Sequence, residues 1–267
     1  MVKYRFRPSK KFGQNFVVNW RAIERIVRES ALKEKDTVLE IGAGTGFLTR
    51  EIQKHCRVIA LEIEKGFCEL LRKELPKKNL TVLNADFLHC ELPAFNKVVS
   101  FPPYNISKKI VMRLLREKFE LGILVFQAEF VEKLIAQPGF AEYGALSVLS
   151  QYHFSLKPLK RLGPGSFFPK PKSDSVILRM KRIKREPPAA DEEKFERFVE
   201  QLFRYKNKNL SNALQKAFPF ISRELALEKK KFGKKRAELK NAQKKVMLLG
   251  VEDLVELFNS LTSKRTL

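Results

Sequence analysis

The stretch Val38-Leu-Glu-Ile-Gly-Ala-Gly-Thr-Gly-Phe47 restricts this chain more than any other. Apolar Val38, Leu39 and Ile41 run into three alternating glycines, and a helical pattern follows. The apolar run reads as a buried strand. Gly42, Gly44 and Gly46 allow a sharp turn and leave bare backbone for a ligand to lie against. A strand, a glycine turn and a helix in succession build a parallel α/β sheet, and such sheets hold nucleotide-like cofactors at the carboxyl ends of their strands. A tight strand-to-helix turn without a ligand is the alternative that this motif alone leaves open.

The same alternation continues. Strands are expected at 37–41, 58–63, 80–83, 97–101 and 121–126, with helices at 20–32, 47–54, 65–75, 108–118, 128–136 and 144–151. Two further strands are expected at 153–157 and 176–180. Asn19 stands where a helix cap is wanted. Glu62 and Glu64 close the second strand, about 20 residues beyond the glycines, where a carboxylate commonly grips a ribose diol; a solvated acid at a strand end is the plain alternative. Asp86 follows the third strand and is placed either to accept a hydrogen bond from an exocyclic adenine amine or to cap an Asx turn. After the fourth strand, Phe101-Pro-Pro-Tyr104 forms a stiff loop. Tyr104 there offers a stacking face for a base taken out of its helix. The segment 163–175, with Phe167 and Phe168, is proline-rich and basic and suits either the opposite wall for that base or an ordinary hairpin loop.

Charge narrows the partners. With 53 Lys and Arg against 30 Asp and Glu, the chain has a formal charge of +23. Such an excess favours nucleic acid over small acidic substrates; heat adaptation explains abundant charge but not its one sign. The opening residues, 1–19, interleave basic and aromatic side chains, which suits a phosphate-rich partner; a disordered basic tail is the alternative, in which Phe12, Phe16 and Val17 would be odd. Cys56, Cys68 and Cys90 lack metal or disulfide spacing, which fits a reducing cytoplasm and no metal. No apolar run reaches the ~20 residues that span a bilayer. Residues 1–183 read as one α/β domain; after a proline-containing linker at 184–191, residues 190–267 read as a basic helical domain, with helices at 193–203, 208–217 and 251–261 and a basic stretch at 229–245.

Taken together these motifs resemble the KsgA/Dim family of ribosomal RNA adenine dimethyltransferases, related to the Erm resistance methyltransferases, with the archaeal branch most similar. The likeness spans nearly the whole chain in order: Lys10-Lys-Phe-Gly-Gln-Asn-Phe16, Glu40-Ile-Gly-Ala-Gly-Thr-Gly46, Glu62-Ile-Glu64, Asn84-Ala-Asp86, Tyr143-Gly-Ala-Leu-Ser-Val148, Phe167-Phe-Pro-Lys-Pro-Lys172 and Phe203-Arg-Tyr-Lys-Asn-Lys208. The resemblance implies a Rossmann-like class I methyltransferase sheet with helices on both faces and a small all-α carboxyl domain. It implies S-adenosylmethionine as methyl donor and, as partner, small-subunit rRNA, where two adjacent adenosines near the 3′ end each receive two methyls on N6. It also implies a monomer.

By motif, Gln14, Asn15 and Val17 are expected to line the cofactor pocket, Gly42 and Gly44 to approach the methionine part, Glu62 to hold the ribose and Asp86 the adenine. Phe101 and Pro102 are expected in the catalytic site, Phe101 also against the cofactor, and Tyr104 and Phe167 are expected to sandwich the target adenine. The chain departs from the family at Phe101, where an asparagine usually accepts a hydrogen bond from the target amine. Only backbone carbonyls remain, with Pro102 the candidate acceptor. One lost hydrogen bond of this kind is worth roughly 1.5–3 kcal/mol, or about 10- to 100-fold in rate. Ala145 replaces a usual arginine and Ser173 a usual valine. Phe101 keeps two rival readings open: a weak or inactive relative that binds pre-ribosomal RNA as an assembly factor, and an enzyme with another RNA target or a single methyl as its product.

Overall fold

The computed structural model describes residues 15–225, 232–233, 236, 239 and 241–263. They divide into two compact units, one formed by residues up to 131 together with 154–182, the other by 132–153 and 183 onward. The sequence reading kept 132–153 with the α/β part; by their contacts they group with the helical one.

The first unit is built on a seven-stranded sheet. Its strands are β2 (Thr37–Ile41), β3 (Arg57–Glu62), β4 (Leu80–Asn84), β5 (Lys97–Ser100), β6 (Leu121–Gln127), β7 (Phe154–Leu162) and β9 (Ser175–Arg182), in the order β4-β3-β2-β5-β6-β9-β7. The first five are parallel; β9 runs antiparallel to β6, and β7 antiparallel to β9. Val38, Ala60, Val99 and Ile123 belong to the core on one face, while their neighbours Leu39, Leu61, Val98 and Leu124 are equally buried on the other. Both faces are therefore covered, as parallel strands require. The chain order runs outward from β2 through β3 to β4, then reverses from β5 to β6. The reversal leaves a crevice beyond the carboxyl ends of β2 and β5.

Strands β7 and β9 are longer than the pattern foretold. β7 is an edge strand whose Lys157, Pro158, Lys160 and Arg161 face solvent, and its register shifts between Pro158 and Lys160. Exposed charge and a proline erase the apolar alternation while discouraging further pairing at the edge. A second, two-stranded sheet was not foreseen: β1 (Phe16–Val17) pairs antiparallel with β8 (Phe167–Phe168). Two residues per strand carry no period to read.

Helix α1 (Trp20–Glu29) is capped as expected, Asn19 Oδ1 accepting from the Ala22 amide at 3.3 Å. At the amino ends of the strands, buried Lys97 donates to the Ser30 and Ala31 carbonyls at 3.0 and 2.6 Å and pairs with Asp36 at 2.8 Å. Asn96 donates to the other Asp36 oxygen at 2.8 Å and accepts from the Thr37 amide at 2.8 Å. Burial pushes the Asp36 carboxyl up, but the bonds from Lys97, Asn96 and the Lys33 amide outweigh it and hold the group below its ordinary range. This network fixes the end of the sheet remote from the crevice.

Helices α2 (Phe47–Ile52), α3 (Lys65–Glu74) and α4 (Ser107–Arg116) complete the crossovers, and α5 (Ala128–Ile135) follows β6. The second unit contains α6 (Ala145–His153), α7 (Glu192–Phe203), α8 (Leu210–Leu225) and α9 (Val251–Thr262) around Tyr143, Tyr152, Phe195, Phe198 and Phe258. The buried Tyr143 hydroxyl donates to the Leu249 carbonyl at 2.8 Å. Helix α8 outruns its expected end, continuing past Pro219. Of the stretch 229–245, residues 229–231, 234–235, 237–238 and 240 lie outside the described residues; 232–233 and 236 are helical and 241–244 form a turn.

Candidate cofactor and target-base site

The crevice at the strand-order reversal holds a cavity of about 280 Å³, bordered by the turn after β2, the ends of β3 and β4, the loop after β5 and residues 15–17. The glycines shape its floor. Gly44 has φ +51°, and a Cβ there would stand 2.8 Å from Phe16 Cε1; Gly46 has φ +78°, and a Cβ there would stand 2.6 Å from Leu71 Cδ2. Side chains at these places are excluded both by conformation and by space. The Gly42 amide donates to the Leu61 carbonyl at 2.8 Å, locking the turn to β3.

Two acids sit beneath this turn. Glu62, 4% exposed at the end of β3, accepts from the Gly44 amide at 2.8 Å and from the Glu64 amide at 3.0 Å. Burial raises its pKa, and those two amides pull the other way. Glu40, 2% exposed inside β2, borders the same cavity. Burial pushes its carboxyl up to about 8; nearby Thr49 offsets part of this and the Glu62 charge adds to it. Neither Glu40 Oε2 nor Thr49 Oγ1 makes a hydrogen bond among the described residues. Burial thus raises both carboxyls, and hydrogen bonds offset part of the shift in each. Asp86 lies across the cavity with a partly exposed side chain, its Oδ1 accepting from the Leu88 amide at 2.9 Å.

The loop after β5 forms the opposite wall. Ser100 Oγ donates to the Ile41 carbonyl at 2.6 Å, tying the ends of β5 and β2 together. Phe101, Pro102, Pro103 and Tyr104 then border the cavity. The Pro102 carbonyl accepts no hydrogen bond from the described residues. The Tyr104 hydroxyl shares a 2.7 Å hydrogen bond with Ser175 Oγ, and burial pushes the phenol up to about 12, so it stays protonated. Phe167 meets both Phe101 and Tyr104 edge-on, with centroids 6.1 and 6.3 Å apart and planes at 74° in each pair. The β1–β8 ladder joins residues 16–17 to Phe167 and Phe168, reinforced by the Val18 amide donating to Ser166 O at 2.9 Å.

A family model for ribosomal RNA adenine dimethylases matches residues 5–255. The chain belongs to that family. Among its relatives are proteins named probable ribosomal RNA small subunit methyltransferase A. That of Thermococcus gammatolerans is 35% identical over 96% of this chain and 90% of its own length; that of Thermococcus sibiricus is 36% identical over 96% and 92%. The crystal structure of the 23S rRNA methyltransferase ErmE superposes with a TM-score of 0.68 at 27% identity, covering 93% of this chain and all of that one. A dimethyladenosine transferase from Plasmodium falciparum shares the fold, with a TM-score of 0.81 at 23% identity over 91% of this chain and 95% of its own. The chain is thus an adenine dimethylase by family, on the methyltransferase fold its sheet order describes.

As in the reading from motifs, Asn15, Val17, Gly42, Gly44, Glu62, Asp86, Phe101, Pro102 and Tyr104 all border one cavity. Gln14 lies outside the described residues. Phe167 does not stand as foreseen: it is 2% exposed within the core and nearly perpendicular to Tyr104, so the two rings form no parallel slot for a base. Anchored by β1 and buried under Phe101, it acts here as a strut for the aromatic wall.

Three contributors escaped the motif reading. Glu40 belongs to the glycine motif without a role of its own there, although an acid inside an otherwise buried strand is itself a signal. Phe16 fills the space beside Gly44 and packs against Phe67 at 5.4 Å. Ser175 orients Tyr104 from 71 residues away, and nothing in the sequence pattern marks it.

Proposed function

We propose that this protein transfers methyl groups from S-adenosylmethionine to N6 of adjacent adenosines near the 3′ end of small-subunit rRNA, during subunit assembly. The observation that supports it most is the placement of the glycine turn, Glu62 and Asp86 around the same cavity as Pro102 and Tyr104. The residues suit the donor. Gly42 and Gly44 bring the turn to the border of the cavity, Glu62 offers a buried acceptor to vicinal hydroxyls, and Asp86 an acceptor to an exocyclic amine. Asn15 and Val17 close the pocket from the arm. Bound there, the sulfonium supplies an electrophilic methyl.

The protein's task is then to present the target nitrogen. Tyr104, held by Ser175, stacks the extruded base. The Pro102 carbonyl accepts one amine hydrogen and aims the nitrogen lone pair at the methyl, a gain from positioning more than from acid–base chemistry. No side-chain base is needed: the amine proton is lost after transfer, when the nitrogen has become strongly acidic. The charge of +23 supports a polyanionic substrate, with the basic helical part, residues 190–267, and the amino-terminal arm as its RNA contacts.

Phe101 sustains a second reading, an RNA-binding assembly factor with an impaired site. Labelled S-adenosylmethionine with unmethylated small subunits tests the proposal. Label in adenosines of the 3′-terminal rRNA fragment is expected; label elsewhere in the RNA refutes the substrate, and none at all refutes the reaction.

A further inference from the structure

We propose that Arg113 is a positioning residue that clamps the adenine end of the cofactor pocket to the helix carrying the target-base loop. The inference rests on the cofactor reading above. One wall of the cavity is Asp86-Phe87-Leu88; another is formed by Asn105 and Ile106, the last residues before α4. The first wall is a tight turn in which the His89 and Cys90 amides both donate to the Asp86 carbonyl at 3.0 Å. Arg113 reaches this turn from α4. Its guanidinium carbon lies 4.7 Å from the centroid of the buried Phe87 ring. Its Nη2 donates to the Cys90 carbonyl at 2.6 Å, and its Nε to Glu117 Oε1 at 3.1 Å.

These contacts use separate features of one planar group: the face for Phe87, one edge for the backbone of the turn, another for the anchoring carboxylate. The side chain of Arg113 is only 20% exposed, so the cation–aromatic contact is little screened. Because α4 starts directly after Ile106, the same residue that holds the Asp86 turn also fixes the second wall. The separation of the two walls, and so the width of the slot for the adenine ring, depends on it. Arg113 does not border the cavity itself and reaches its lining through Phe87. Its effect falls on cofactor affinity, not on the transfer step.

Calorimetric titration of the full-length protein with S-adenosylhomocysteine and with 5′-methylthioadenosine, which lacks the amino-acid part, tests this. For Arg113→Met both ligands are expected to bind about 10-fold more weakly, by the same factor, the loss of one such desolvated contact. At saturating S-adenosylmethionine the methyl-transfer rate stays within about twofold, so the change appears in KM. Arg113→Lys keeps a donor for Cys90 but not the stacking plane and is expected to fall between. Arg116→Met removes a charge from the same helical turn and is expected to bind both ligands normally. Wild-type affinity in Arg113→Met overturns the clamp, and so does a loss confined to S-adenosylhomocysteine. If Arg113→Met does not fold, Arg113→Lys decides: unchanged binding overturns the proposal and equal weakening of both ligands supports it. Wild-type protein that binds neither ligand overturns the cofactor reading and the clamp with it.

Discussion

Replacing Glu40 by glutamine should make the protein more stable as pH rises. The unfolded carboxyl titrates near 4.5, while in the folded protein burial moves it up to about 8. Below both values the group is protonated in either state and contributes no difference. Between them the folded protein keeps a proton that the unfolded chain has released, so stability falls with rising pH, by up to ~1.4 kcal/mol per pH unit. Above both values the group is ionised in each state and the full cost persists. Glutamine has the shape of the neutral acid and titrates nowhere. Its advantage over wild type should thus grow by roughly 3 kcal/mol between about pH 5.5 and pH 8.5, as a ceiling before the buried site relaxes. Glu62 remains in both proteins and its own burial cost largely cancels. Urea unfolding followed by circular dichroism at the two pH values measures the difference. Stability curves that run parallel across this range would refute the reasoning, because they would mean that Glu40 is ionised throughout despite its burial.

Lys97→Met should cost about 3–5 kcal/mol in unfolding free energy, because Asp36 would be left buried without its cation; Lys97→Met with Asp36→Leu should recover part of it, and no recovery would contradict the pairing. Phe167→Ala should cost about 3–5 kcal/mol, as for other buried aromatic rings, measured by the same urea titration. Tyr104→Ala should instead lower methyl transfer far more than stability. Equal stability losses in the two variants would contradict the division between strut and stacking face.

How much of this was legible in the sequence depends on where the determinants lie. The doubly wound sheet was readable because its strands are continuous apolar runs separated by helices of clear period. The cofactor side was readable too: Gly42, Gly44, Glu62 and Asp86 sit at strand ends, and strand ends of a parallel sheet converge by topology. What escaped depends on pairing across long separations. The β1–β8 ladder has too few residues to show alternation, and it is this ladder that buries Phe167 and turns a foreseen stacking ring into a strut. Ser175 and Arg113 act on residues far along the chain or on a neighbouring loop, and no local pattern marks such partners. The grouping of 132–153 with the helical part is likewise decided by tertiary contacts, such as that of Tyr143 with the Leu249 carbonyl and that of Arg185 with the Gln151 carbonyl, and not by any break in composition.

The central claim is that a backbone carbonyl suffices where the family's asparagine is missing. Methyl transfer to unmethylated small subunits, run with wild type and Phe101→Asn side by side and read by mass of the digested nucleosides, tests it most directly. Dimethyladenosine is expected from both, formed about 10- to 100-fold faster by Phe101→Asn, the worth of one restored hydrogen bond. Methyladenosine from Phe101→Asn with none from wild type would contradict the claim and identify the natural protein as an assembly factor with a disabled site.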